Sequence, residues 1–244
     1  MFKLPILPKI VLDILGNIPT IAFKTVNLSE LLSKSKNVLS QMKEKTPREE
    51  WLQSVSPNLP SQIKIELILK KPLAPVPGED ILRLYFSQFK NQEEVFLDMR
   101  SNHFNYQDGQ TVWSPSSLVY LFEPEFKATL IRLYKGFYYE DELLFWQSLA
   151  DLGLTQNLSH DQATTLMKLF QENFGTNFRN YHFDLKHFQE SFSKIFEFFM
   201  EYEVKLKTDF LYLGVYLTTL FMHLDQYPGT YNVEAIFLEI FPRD

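Results

Sequence analysis

Cysteine is absent from the 244 residues. Disulfides, thiolate metal sites, iron–sulfur clusters and thiol nucleophiles are thereby excluded. Glycine is scarce, at eight residues. Neither G-x-x-x-x-G-K-[ST] nor G-x-G-x-x-G occurs, so the two common glycine loops that cradle phosphates are missing. The strand-to-helix serine elbow, G-x-S-x-G, is missing as well. Long apolar runs are also lacking. The longest uncharged stretch, Phe210 to Leu224, has fifteen residues between Asp209 and Asp225, against the roughly 20 that cross a bilayer. The apolar N-terminus is interrupted by Lys9 and Asp13 and shows no small-residue cleavage site. The expected location is therefore cytoplasmic, with peripheral membrane contact left open.

What the chain does have is apolar and aromatic. It is 45% hydrophobic and 22% charged, a balance that suits a folded domain and argues against disorder. Phenylalanine (23) and tyrosine (12) dominate the aromatics, which predicts a core rich in flat rings. The net charge of −6 is unevenly spread: residues 1–75 carry eleven Lys/Arg and six Asp/Glu, a net of +5, and the rest carries −11. A basic N-terminal segment suits an anionic surface such as a lipid headgroup layer, or else forms an ordinary solvated face. Nucleic acid is not an expected partner, because the aromatic-rich part of the chain is the acidic part.

The apolar period divides the chain. Residues 1–60 read as a basic helical segment. Ile10, Val11, Ile14, Leu15 and Ile18 form one stripe, and Leu28, Leu31, Leu32, Val38, Leu39 and Met42 form a second. A short helix is expected from Pro47 to Val55. From residue 61 the period changes. Ile63, Ile65, Leu67 and Leu69 alternate with largely polar neighbours, as in a strand. Ile81–Phe89 suits either helix or strand, and Glu94–Met99 reads as a strand. Asp108-Gly109, between two apolar runs, supplies the positive φ angles of a type I′ hairpin turn. A small antiparallel sheet over residues 63–114 is the economical reading. Helical spacing then runs from Ser116 onward, with stops at Gly136, Gly153, Gly175 and Pro228-Gly229. The expected fold is mainly α (α+β), with residues 61–244 forming a small sheet plus helical bundle and the whole chain one compact unit.

Few residues suggest chemistry. Asp184 and His187 are three apart and share a helical face, with His182 nearby. They are candidates for a metal site, and Asp184 equally suits a helix cap. A carboxylate-bridged metal pair would need further Glu and Glu-x-x-His ligands that are not present. His223 lies on the most apolar helix, where a hydrogen-bonded core residue is a more ordinary role than a catalyst or ligand. His103 and His160 are expected to be exposed, at a strand end and a helix start. Glu140, Asp141 and Glu142 suit the positive end of a helix dipole.

One pattern is more specific. The stretch FSKIFEFFMEYEVKLKTDFLYLGVYLTTLFMHLDQYPGTYNVEAIF resembles the closing helices of the ABC1 (UbiB or AarF) family of atypical kinases. There a helix, a short link with a basic residue, a long apolar helix and a Leu-Asp-Pro-like turn precede a last helix. LIRLYKGFYYEDELLFWQSLADLGL is similar to the family's paired helices upstream. By the same resemblance VFLDMRS holds the place of the metal-binding Leu-Asp-Phe-Gly segment, so Asp98 is the candidate cofactor-binding residue, with Met99 and Arg100 in place of Phe and Gly. PLAPVPGE would hold the place of the catalytic loop, with Ala74, Val76 and Glu79 where the family has Asp, His and Asn. This alignment implies that Ile81–Phe89 is a strand paired with Glu94–Met99.

Phosphoryl transfer needs a positioned carboxylate, a metal held by two side chains and a cation on the phosphates. The departures therefore imply a reduced kinase-C-lobe-like relative without catalytic residues, cofactor or metal. Its implied role is binding or regulation near isoprenoid lipid or quinone metabolism, with a protein or a lipid surface as partner. Two alternatives stand beside it. One is a helical assembly module with no small ligand, marked by an exposed aromatic patch at Phe198 and Tyr202. The other is a metal-dependent enzyme using Asp98 or the Asp184, His187 and His223 set.

Overall fold

The strand expected at Ile63 and the helices expected in the C-terminal half are present, but the helical part begins at Pro124 and not at Ser116. The computed structural model describes residues 55–71, 73–156, 158–174 and 178–243, together with Ile14, 16–18, 20–26, Lys34 and Val38. Of the expected N-terminal elements, the second apolar stripe apart from Val38 and the helix from Pro47 as far as residue 54 lie outside the described residues.

Strand β1 (Ile63–Ile65) is the short survivor of the alternating run. Helix α1 (Gly78–Asn91) follows, then β2 (Glu94–Phe96), β3 (Phe104–Gln107), β4 (Gln110–Trp113) and β5 (Val119–Leu121). The hairpin is where the sequence put it. Asp108 and Gly109 have φ of 52° and 80°, the two positive values a type I′ turn requires. The sheet itself differs from expectation. β1 pairs in parallel with β4, and β3 pairs antiparallel on β4's other side, giving the order β1-β4-β3. A parallel pair needs a long crossover, and α1 lies within it. A second sheet, β2 with β5, is antiparallel. Strand structure thus extends beyond Ser116 to Leu121.

The strand implied at Ile81–Phe89 is a helix. Glu79 and Asp80 sit in the first turn of α1 and Lys90 in its last, matching the helix dipole at both ends. Its fourteen residues exceed an ordinary strand. Ile81, Leu82, Leu84, Tyr85, Phe86 and Phe89 form its broad buried face, crowded into a stretch short enough to suit a strand as well.

The helical part runs α2 (Pro124–Tyr138), α3 (Glu142–Asp151), α4 (His160–Phe174), α5 (Leu185–Glu201), α6 (Thr208–Leu224) and α7 (Val233–Ile240). Gly136 lies inside α2 rather than ending it. A Cβ there would stand 2.5 Å from the backbone nitrogen of Phe145, so only glycine permits this approach of α3 to α2. Asp141 caps α3, its carboxylate accepting from the Leu144 N–H at 2.9 Å.

α6 is buried on nearly every side, as an apolar helix without a polar face must be. Phe188 of α5 stacks on Phe221 of α6 at 4.2 Å between ring centres. Phe198, the expected centre of an exposed aromatic patch, is buried, and Tyr202 is half-buried against it. The helical spacing of α5 turns Phe198 inward along with Phe192, Ile195 and Phe199, since a wide apolar face covers more than one stripe.

The N-terminal residues join the same core. Ile14, Ile18, Ala22, Val26 and Val38 are buried in it. Val26 forms a parallel bridge with Leu206, and the Leu206 N–H donates to the Thr25 carbonyl at 3.1 Å.

Candidate functional site

Asp98 follows β2, where the chain leaves the two-stranded sheet. Its neighbours Leu97 and Met99 are buried, and so is Asp98, with no exposed surface. An isolated carboxylate in such a place is strongly disfavoured. Arg100 supplies the counter-charge. Its Nε donates to Oδ1 at 2.8 Å and its Nη2 to Oδ2 at 2.7 Å, a two-pronged pairing that matches the carboxylate plane. The Arg100 backbone N–H adds a longer contact to Oδ1 at 3.3 Å. His103 Nε2 lies 3.0 Å from Oδ2, and its Nδ1 lies 3.1 Å from the Ser114 carbonyl. Burial pushes the Asp98 carboxyl up. The hydrogen bonds and charges of Arg100 and His103 outweigh it and hold the group well below the usual carboxylate range.

His223 adjoins this cluster from α6. It is fully buried, and its Nδ1 donates to the Met99 carbonyl at 2.7 Å. Its ring lies against Phe104 and Tyr227. Nε2 is then left as a buried acceptor without a partner among the described residues. Burial lowers the pKa of His223 to about 4, with the Met99 carbonyl opposing and His103 assisting. The neutral ring is the form that fits.

The structure therefore joins Asp98 to His223 and leaves Asp184 and His187 elsewhere. Asp184 is the N-cap of α5, accepting from the His187 N–H at 2.8 Å. Both side chains are exposed. Leu185 in the same turn donates to Asp225 Oδ1. Among the described residues no group of three or more His, Asp or Glu could hold a metal ion. His103, expected in solvent, is mostly covered, with 15% of its side chain exposed. His160 does open α4 in solvent.

Sequence reasoning missed Arg100 and His103 as partners of Asp98. The signal available was their spacing in Asp98-x-Arg100-x-x-His103, which keeps all three within one short turn. It also missed Gln88 of α1, fully buried, which accepts from the Phe96 N–H at 2.8 Å and donates to the Tyr216 hydroxyl at 2.7 Å.

The residues do not fit a magnesium nucleotide. Both oxygens of Asp98 are already engaged, and the carboxylate reaches no solvent. Ala74 and Val76 offer no donor atom in their side chains, and Tyr231 lies so close over Gly78 that a Cβ there would collide with its ring. The C-terminal segment thus packs on this turn at Gly78, while Leu73, Ala74, Pro75 and Pro77 stay exposed.

Two apolar cavities of about 40 Å³ each lie in the helical core. One sits between α1, α2 and α6, beside Tyr85, Tyr134 and Phe221; the other is beside Phe192, Phe196 and Leu213. A cavity of about 150 Å³ is needed to take up benzene, so neither admits a prenyl chain. No helix among the described residues is long and apolar enough to cross a membrane. No protein-family model matches the chain, and no curated protein matches it.

Proposed function

We propose that this chain is a non-catalytic, kinase-like binding or regulatory protein that works at an anionic lipid surface rather than on a nucleotide. The carrying observation is the Asp98 carboxylate, whose charge is matched internally by Arg100 and whose oxygens both face protein donors. In this reading the carboxylate is a structural anchor. It fastens the turn after β2 to the start of β3 through His103, and the turn in turn holds α6 through Met99 and His223. Among the described residues, these two core cavities are too small for a lipid chain, which supports placing a lipid at the surface rather than in either of them. The unequal charge, +5 in residues 1–75 and −11 beyond, supports a surface of negative sign.

The test is thermal unfolding with and without ATP and magnesium. The expected outcome is the same midpoint in both. A saturable rise with nucleotide plus magnesium, absent with either alone, overturns the non-catalytic reading.

A further inference from the structure

Among the exposed large apolar residues, Ile68 stands out at 82% exposure, with Leu67 at 37% and Leu73 at 39%. They lie on the segment after β1, Glu-Leu-Ile-Leu-Lys-Lys-Pro-Leu over residues 66–73, where Lys70 and Lys71 are exposed too. Lys64 pairs with Glu66 at 3.2 Å, whereas Lys70 and Lys71 form no ion pair among the described residues.

Hydrogen bonds tie the segment to the sheet at Leu67, Lys70 and Ala74. Asn105, buried on β3, donates to the Lys70 carbonyl at 2.7 Å and accepts from the Ala74 N–H at 2.6 Å. The Ser114 hydroxyl donates to the Leu67 carbonyl at 2.9 Å. Two anchors thus fix the backbone while the side chains between them project outward.

We infer that this pinned loop inserts Ile68 into the headgroup layer of an anionic membrane, with Lys70 and Lys71 on the lipid phosphates and carboxylates. The inference rests on the lipid-surface reading above and names its contact. Two features favour a bilayer over a protein partner. A protein interface needs about 800 Å² from each side, and a few exposed apolar side chains on one loop fall short of that. An apolar tip beside cations is, by contrast, the arrangement that binds acyl chains and anionic headgroups together. The charge pattern is complementary as well, because the loop is basic while residues 76–244 carry a net of −11 and would be repelled. Tyr106, next to the anchoring Asn105, is 39% exposed and suits the water–lipid boundary, where tyrosine is favoured.

The experiment is co-sedimentation of the full chain with vesicles of phosphatidylcholine alone or with about 30% phosphatidylserine, at low and high salt. Wild type is expected to bind only the anionic vesicles, and less in high salt. Ile68→Ser is expected to weaken partitioning about ten-fold. The pair Lys70→Gln and Lys71→Gln is expected to weaken it about thirty-fold. Both variants should keep the wild-type melting midpoint, because the altered side chains face solvent. If wild type binds and both variants bind as well, the loop inference falls while the lipid-surface reading survives. If wild type binds neither vesicle, both fall. If light scattering shows a dimer that Ile68→Ser dissolves, the loop is a contact between copies and the lipid assignment is overturned.

Discussion

At the scale of single residues, Asp98 decides what the centre of this protein can do. A buried carboxylate paired with one arginine is costly to disturb from one side only, because the partner left behind keeps its charge without compensation. Asp98→Asn is therefore expected to lower the unfolding free energy by about 3 kcal/mol. The double variant Asp98→Leu with Arg100→Met should lose less, since it removes both charges together. Urea unfolding of the three proteins checks the order. A single variant as stable as wild type would mean the carboxylate carries no structural load.

His223 gives a separate acid limb. Its folded pKa of about 4 lies below the ordinary 6.5, so the folded state resists the proton that the unfolded state accepts. The stability held by the neutral ring is complete above about pH 6.5. It is lost progressively as pH falls toward 4 and changes no further below that, a total of about 3 kcal/mol. Asp98 acts lower. With its pKa depressed on folding, its contribution is intact above the ordinary carboxylate value and declines only below about pH 4. His223→Gln keeps an N–H for the Met99 carbonyl and is expected to flatten the slope of unfolding free energy between about pH 6.5 and 4 while leaving the lower limb. An unchanged slope would place the titration elsewhere.

At the scale of elements, the sequence spoke clearly where apolar spacing repeats over several turns or a turn has a specific backbone requirement, and poorly where the apolar run is short. The type I′ hairpin was legible because Asp108-Gly109 has a specific backbone requirement. The stripes of α2 and α5 were legible because their polar faces remain in water. α1 was not, since Ile81, Leu82, Leu84, Tyr85, Phe86 and Phe89 crowd its broad apolar face into a short run that suits a strand as well, and the charges at its two ends are what mark a helix. The parallel pairing of β1 with β4 was also hidden, because it joins residues on either side of α1 that share no local signal. Of the candidate site, Asp98 and His223 were visible as isolated residues, but their link through Met99 and His103 depends on tertiary packing.

Asp184 shows how an element can settle two readings of one residue. As the N-cap of α5 it satisfies a backbone N–H that has no helical partner. Asp184→Ala is expected to cost about 1 kcal/mol of stability, and Asp184→Ser, another good cap, to recover most of it. Serine is a poor ligand for a divalent metal, so recovery by serine separates the cap from a metal role. If a divalent metal raises the melting midpoint of wild type and not of the serine variant, the cap account is insufficient.

At the scale of the whole molecule, the described N-terminal residues are part of the core and not an appendage. Besides Ile14, Ile18 and Ala22 in the interior, Lys34 reaches the start of α6. Its Nζ donates to Asp209 Oδ2 at 2.9 Å and to Glu123 Oε1 at 3.1 Å. Asp209 has no exposed side-chain surface, and its other oxygen accepts from the Glu123 N–H at 3.0 Å. Burial alone would lower the pKa of Lys34. The bond to Asp209 and the nearby negative charges reverse this and raise it above the ordinary lysine value, so Lys34 stays charged throughout the physiological range. Removing the basic segment to probe lipid contact would therefore also remove core side chains and strand a buried carboxylate. Lys34→Met isolates the second effect. It keeps an unbranched apolar stem but leaves Asp209 without this cation, and it is expected to destabilise the chain by about 3 kcal/mol. Adding Asp209→Asn to it should restore part of the loss, because the uncompensated charge is then gone. Chemical unfolding of the single and double variants measures this coupling. Additive losses would mean that residue 34 and the start of α6 are joined only by proximity.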